Sequence, residues 1–504
     1  MKFAMSARAL APPDEHNLQK LEARLRKDLA CLCLPAKRWV PPNKVDGHEV
    51  LNVVIVGGGM SGLALSASLL HLGIEAPLVE RAPEGFEGPW STTARMETLR
   101  SPKELTGPAL GFAALTFNAW FEAQFGQAAW AALDKIPRLQ WADYLHWYRK
   151  VLGLDVRNLQ RVVKIHTRSD EVVQLDMADD ANAGRPYRLL ARHVVLATGR
   201  DGLGGPWVPA WAHEIPRDRW VHSGEVWDGD RFRDQRVAVI GGGASAMDVA
   251  ATALEAGATR VDLLIRRNDL PRINKGKGSS NPGMAQGFCT LPDDWKWRFR
   301  HYLNVQQVPP PHGSTLRVSA HRNAYFHLGA AVRAVKLRCD GVMRIDTSKG
   351  PMAADAIIFS TGFRSNWALR PELSNIAPYV RLWADRFTPP AGEEDSELAE
   401  SPDLGPLFEF QSKVPGACPG LERVHCFNYA GALSQGAGSG DIPQISDGAQ
   451  RLARGLAGQL LREDAQHHFE EMGRYADPEL LGDEWHPAEF PPYLPESGEQ
   501  EPAA

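Results

Sequence analysis

Several broad classes of protein are excluded by what this sequence lacks. Its 504 residues include six cysteines: Cys31, Cys33, Cys289, Cys339, Cys418 and Cys426. They form no Cys-x-x-Cys pair and no zinc-ligand spacing, which argues against a disulfide scaffold, a zinc module or a dithiol redox centre. Cys31 and Cys33 fall in a leucine-striped segment and read as two inert, packed thiols. No apolar run approaches the ~20 residues needed to cross a bilayer. The opening MKFAMSARALAPPDEH lacks the apolar core of a secretory signal and soon turns acidic, so a cytoplasmic location is expected. Lys and Arg (56) do not outnumber Asp and Glu (61), and the formal charge is −5. Such a balance suggests no nucleic-acid partner. At this length the chain suits two or three domains.

What the chain does have is one local pattern, twice. The first copy is VVIVGGGMSGLALSASLLHLGIEAPLVER, Val53–Arg81. The second is VAVIGGGASAMDVAATALEAGATRVDLLIRR, Val237–Arg267. Each reads as a buried parallel strand, a glycine turn, an Ala/Leu-rich helix and a second apolar strand. In the first, Gly57 suits the tight turn, Gly59 lets backbone approach a pyrophosphate, and Gly62 lets the helix pack closely on the strand. In the second, Gly241, Gly243 and Ala246 take those places, with Ser245 beside them. A helix N-terminus after each turn offers free N–H groups and a partial positive charge to phosphate.

The copies differ at their ends. Glu80, followed by Arg81, can accept hydrogen bonds from free ribose hydroxyls, whereas Arg266 and Arg267 can grip a ribose 2′-phosphate. The second unit therefore suits NADPH. Hydride transfer between two nicotinamides would be redundant, so the first unit suits FAD.

At these residues the sequence resembles the two-dinucleotide-binding flavoproteins, specifically the flavin-containing and Baeyer–Villiger monooxygenase superfamily. APEGFEGPWS resembles a loop that lies along FAD and places Trp90 beside it. LRSPKEL resembles the segment that follows. QRVVKI resembles a strand placing Val162 at the adenine. HVVLATGR and DAIIFSTGFR resemble paired crossovers between two domains, giving Thr198 and Gly199 in one and Thr361 in the other. Near the C-terminus, Gly440 and Asp441 match positions near the ribityl chain or flavin ring. The Phe-x-Gly of the family's fingerprint is replaced here by PRDRWVHSGEVWDG, which keeps His222 as a candidate for coupling NADP binding to domain movement.

The resemblance implies an α/β fold of two Rossmann-like domains, the FAD domain being discontinuous with the NADPH domain inserted in it. The expected segments are 1–48 (helical extension and linker), 49–205 and 351–470 (FAD domain), 206–350 (NADPH domain) and 471–504 (tail). It also implies an enzyme in which NADPH reduces FAD and a C4a-(hydro)peroxyflavin transfers one oxygen atom from O2. Hydroxylation of nitrogen or sulfur in a small organic substrate is favoured over Baeyer–Villiger oxidation of a ketone. An uncoupled NADPH oxidase or redox sensor is a further alternative. Because the cofactor carries the chemistry, no catalytic side chain and no metal ligand is assigned.

Elsewhere, Leu18, Leu21, Leu25, Leu29 and Leu32 stripe a helix expected to pack on the body or on a second copy. Aromatics in LTFNAWFEAQFGQAAWAAL and WADYLHWYRKVLGL recur at helical spacing and read as core. RINKGKGSSNPGMAQGFCTLPDDWKWRFRHY reads as a long basic loop or a lid using Lys275 and Lys277. TPPAGEEDSELAESPDLGP reads as a solvated acidic excursion, and YLPESGEQEPAA as a disordered tail.

Overall fold

A computed structural model describes residues 12–492; the expected disordered tail, Tyr493–Ala504, lies outside them. Two sheets organise the chain. In the first, the apolar strand His48–Val56 lies between Leu78–Val79 and Arg185–Leu196, parallel to both. Val53, Val54 and Ile55 are fully buried, as a strand covered on both faces requires. Gln160–Thr167 and Val173–Asp179 extend this sheet antiparallel, and the late strand Val424–His425 returns to pair with Arg185–Leu196.

The second sheet is parallel throughout. Its order is Ala324–Leu328, Arg260–Ile265, Arg236–Ile240, Ala356–Phe359 and Trp220–His222. All of these strands lie in sequence between Arg185–Leu196 and Val424–His425, so the second lobe is inserted into the first. Ala356–Phe359 lies past the boundary expected at residue 350, because its hydrogen-bonding partner is the second glycine strand, Arg236–Ile240. The chain leaves and re-enters through Gly204–Pro206 and Phe363–Ser365, which pair with each other.

The N-terminal helix, Glu15–Cys31, is capped by Asp14 and buries Leu21 and Leu25. Leu18 and Leu29 pack against the main core, while Leu32 is exposed. Cys31 and Cys33 are exposed, not packed: the helix stops at Cys31, and Cys33 has φ 54° in the turn beyond. Helices Phe117–Ala132 and Arg138–Val151 do supply aromatic core, with Phe117, Phe121, Trp141, Tyr144 and Tyr148 almost wholly buried.

The expected long basic loop is largely helical. After short turns it forms Asp293–Gln306, begun by Pro292 with Asp293 and Asp294 in the first turn, and anchored by Trp297 at 1% exposure. The acidic excursion is not merely solvated. The Trp297 indole donates to the Glu393 carbonyl at 2.8 Å, Asn304 donates to Asp395 at 3.0 Å, and Leu398 is buried.

Candidate active site

The two glycine turns have the same geometry. The Gly57 amide donates to the Val79 carbonyl at 2.9 Å, and the Gly241 amide to that of Leu264 at 3.1 Å. The Ala197 amide donates to Val56, and Ser360 to Ile240, both at 2.9 Å. Each glycine strand is thus flanked by its own second strand and its own crossover strand.

The turns leave no room for side chains where the backbone must close. Gly57 has φ +113°, and a Cβ there would lie 2.5 Å from the Ala197 carbonyl oxygen. A Cβ on Gly62 would lie 2.0 Å from the Gly57 oxygen. In the second turn Gly241 has φ +140°, and a Cβ would lie 2.5 Å from the Ser360 oxygen. Ala246, at the position corresponding to Gly62, is fully buried, so the second turn accommodates a methyl group where the first does not.

Both helices, Met60–His71 and Ala244–Glu255, begin at a glycine with no side-chain cap. Their first N–H groups are open to an anion. Nothing stands within 4 Å of a Cβ built on Gly243, and the approach to Gly59 is bordered by Gly88 at 3.8 Å. These cradles fit the phosphates of two dinucleotides.

The acidic end of the first unit is built in. Glu80 is 9% exposed and accepts from the Gly58 amide at 2.7 Å and the Ala82 amide at 2.8 Å. Each carboxylate oxygen retains acceptor capacity for a ribose hydroxyl. Arg81 beside it is exposed, and Val162 is half-buried in its strand. At the second unit, Arg266 is exposed just past the strand Arg260–Ile265, whereas Arg267 donates to the Val305 carbonyl at 2.7 Å. Ser245 is exposed in the first turn of the following helix.

The loop that carries Trp90 also carries Glu87. Glu87 holds the loop down by accepting from Arg149 at 2.9 Å and Asn158 at 2.7 Å. Burial would raise its pKa, but hydrogen bonds from His146 and Asn158 and from backbone N–H groups bring it down to about 2. Trp90 is half-buried and meets Trp141 edge-on at 6.4 Å.

The crossovers bring further expected residues together. Thr198 accepts from Asn428 at 3.1 Å, and the Tyr429 amide donates to the Gly199 carbonyl at 3.2 Å. Thr361 donates to the Trp207 carbonyl. Gly440 and Asp441 lie at the surface in the loop before the helix Ile445–Glu463, and the protein packed around one side of the Asp441 carboxyl desolvates it enough to raise its pKa. Ser61, in the first glycine helix, ties this loop down by donating to the Ser439 carbonyl at 2.9 Å.

His222 is not a surface histidine. It is fully buried at the end of Trp220–His222, with its ring edge-on to Phe363 at 5.6 Å. Its Nδ1 accepts from the Gly224 amide at 3.0 Å, and its Nε2 makes no hydrogen bond of good geometry among the described residues. Desolvation lowers its pKa to about 4, so it is neutral at physiological pH.

Contacts between the lobes were not legible beforehand. Arg95, in the first lobe, lies 3.3 Å over the Trp227 ring and donates to the Trp227 carbonyl at 2.6 Å. Desolvation, with Arg138 nearby, lowers its pKa to about 10, and it stays charged at neutral pH. Arg100 approaches Asp248 of the second glycine helix at 3.4 Å, and Ser314 donates to the same carboxylate at 2.7 Å. Beside Arg100, an open depression of about 360 Å3 is lined by Lys103, Lys135 and, from the second lobe, Lys277. Among the described residues there is no cluster able to hold a metal ion and no helix long and apolar enough to cross a membrane.

Comparison with known proteins identifies the family. The family model of L-lysine 6-monooxygenase/L-ornithine 5-monooxygenase matches residues 122–302. The FAD-dependent urate hydroxylase of Xanthomonas campestris pv. campestris is 37% identical over 470 residues, covering 92% of this chain and 98% of that protein. Among solved structures, the FAD-bound cadaverine monooxygenase of Erwinia amylovora superposes with a TM-score of 0.63 at 14% identity, covering 88% of this chain and 100% of that one. The ornithine hydroxylase of Pseudomonas aeruginosa gives a TM-score of 0.63 at 17% identity, covering 82% and 100%. At those identities the two structures establish a common fold. With its paired cradles and its match along the full length of the urate hydroxylase, this chain belongs to the flavin-dependent monooxygenases, oxidoreductases that use FAD, NADPH and O2 on small organic substrates.

Proposed function

We propose that the protein hydroxylates urate or a closely related oxidised purine, acting in the cytoplasm and able to self-associate. The observation that carries this reading is the 37% identity to the urate hydroxylase across nearly all of both chains. It is supported by two intact dinucleotide cradles whose Glu80 and Arg266 ends suit different cofactors.

In this reading Gly57, Gly59, Gly62 and the uncapped helix behind them receive the FAD pyrophosphate. Glu80 accepts from its ribose, with Arg81 alongside. Trp90, Val162, Thr198, Gly199, Gly440 and Asp441 border the rest of the cofactor. Gly241, Gly243, Ser245 and Ala246 receive the NADPH pyrophosphate. Arg266 takes most of the 2′-phosphate, because Arg267 is already committed to Val305.

When bound, the flavin supplies oxygen activation, and the polypeptide positions the partners and keeps water out. Arg95 and Trp227 hold the two lobes together. Neutral His222 and Thr361 lie beside the strands that join the two lobes. Asp441, its pKa raised by desolvation, retains a proton more readily than an ordinary aspartate.

The test is NADPH oxidation by the FAD-loaded protein with and without urate, together with the product's mass. Urate-dependent oxidation with a product one oxygen heavier supports the reading. NADPH oxidation indifferent to urate refutes it.

A further inference from the structure

Beside the two crossovers is a depression that no role above uses. It is open, with about 530 Å3 of free space, the solvent at its mouth included. Three guanidiniums from distant parts of the sequence line it. Arg200 follows Gly199 in the outgoing crossover, Arg364 lies in the returning strand Phe363–Ser365, and Arg300 comes from the helix Asp293–Gln306.

Among the described residues none of these three arginines forms an ion pair or donates a side-chain hydrogen bond. Aromatic rings hold two of the guanidinium planes. Arg200 lies 4.6 Å from the Tyr429 ring centroid and 5.6 Å from that of Phe363, and Arg364 lies 4.7 Å from Trp207. Stacking fixes a guanidinium by its face and leaves its N–H edges free. The Arg300 Nε is buried with no partner, which is costly unless something accepts from it.

Two carboxylates enter the same depression, and neither neutralises it. Asp201 is drawn to Arg370, at 3.6 Å. Glu397 is exposed at the mouth, yet partial desolvation by the surrounding protein raises its pKa, with nearby Asp395 adding to the rise and the three arginines opposing it. The result is a cationic recess with free donors, one carboxyl group and two aromatic faces.

We infer that this depression is the recognition site for the planar, oxygen-rich purine anion, read by Arg200, Arg300 and Arg364 at its carbonyl and anionic edges and by Glu397 at a ring N–H. The inference rests on the reading of the protein as a purine hydroxylase and adds to it where the substrate is gripped. Guanidinium edges match paired oxygen and nitrogen acceptors in one plane, and Tyr429 and Phe363 supply stacking surfaces. An excess of cations repels an alkyl-ammonium substrate such as a diamine, which gives the same fold a different substrate class. The depression also adjoins residues assigned to the flavin, since the Tyr429 amide bonds the Gly199 carbonyl.

Steady-state kinetics on FAD-loaded Arg364→Gln, Arg300→Gln and Glu397→Gln, with urate varied at saturating NADPH, test this. Arg364 is exposed, so its variant tests the site without disturbing folding, and bound-flavin content verifies the others. The expected result is a rise in the KM for urate of about tenfold per arginine, with kcat within about twofold and the KM for NADPH unchanged. An unchanged KM for urate in all three variants, with wild-type turnover intact, overturns the site and leaves the purine reading standing. A shift confined to the KM for NADPH also overturns it. If the wild type oxidises NADPH but never hydroxylates urate, the purine reading itself fails and takes this site with it.

Discussion

His193 and His425 face each other inside the first lobe, with Nδ1 of His193 3.1 Å from Nε2 of His425 and both side chains fully buried. The second ring nitrogen of His425, Nδ1, is 2.7 Å from the Leu407 carbonyl, which can only accept. His425 therefore carries its proton on Nδ1 and accepts from the Nδ1–H of His193, and both rings are neutral. They join Val424–His425 to the long strand Arg185–Leu196, the point where the returning chain closes the first sheet.

This pair makes stability depend on pH with a definite sign. Desolvation lowers both pKa values, that of His425 to about 3, from an ordinary 6.5. The unfolded chain then binds protons that the folded one refuses, so stability is full above pH 6.5 and falls as pH drops toward 3. His425 alone should account for a loss on the order of 3 kcal/mol between pH 6.5 and 4, and His193 and His222, whose pKa values burial also lowers, add to it in the same direction. Glu463, brought down to about 2 against desolvation by the guanidiniums of Arg423 and Arg192 that donate to it, adds its own loss only below 4.5. Urea midpoints measured from pH 8 to 4 check this; a flat profile from pH 6.5 to 4 would contradict it.

The Arg266 and Arg267 pair should separate in its effects. Loss of a charge-assisted contact of about 1.5–3 kcal/mol corresponds to roughly ten- to 150-fold in cofactor preference. Arg266→Ala should produce most of that change, and Arg267→Ala little, since Arg267 is occupied by Val305. The ratio of kcat/KM for NADPH to that for NADH is the measurement.

Gly62→Ala should abolish retention of the flavin. Its methyl would sit 2.0 Å from the Gly57 oxygen and 2.9 Å from Leu78, and the turn between them has no slack. Overpacking of this kind costs about 1–3 kcal/mol and displaces the backbone that the cofactor needs. The flavin-to-protein absorbance ratio of purified variant against wild type reads the outcome. Full occupancy would show that the turn can widen.

Trp227→Leu should loosen the lobes without touching either glycine cradle. It removes the ring under Arg95, a contact worth roughly 0.5–2 kcal/mol. The expected outcome is a larger share of NADPH consumed as hydrogen peroxide and a smaller share as product. Peroxide and product assayed against NADPH consumed give that ratio.

The glycine turns could be read from sequence because each is built from one contiguous segment, with the strand, turn and helix signals in order. The lobe insertion was legible for the same reason, through the duplicated crossovers ending in Thr198-Gly199 and Thr361-Gly362. The helix Asp293–Gln306 was hidden by its polar composition: Trp297 is its only buried residue, and the start signal of Pro292 with two acids stood among glycines and lysines. The Arg95–Trp227 contact and the Arg200, Arg300 and Arg364 cluster join residues far apart in sequence. No local pattern encodes such encounters, so they emerged only once the lobes were packed.

The most direct measurement is turnover of urate by FAD-loaded protein with NADPH under 18O2, followed by mass spectrometry of the product. The expected result is one heavy oxygen in each product molecule, with NADPH consumption that rises on adding urate. Product oxygen drawn from water, or NADPH oxidation that yields only peroxide whether or not urate is present, would contradict it.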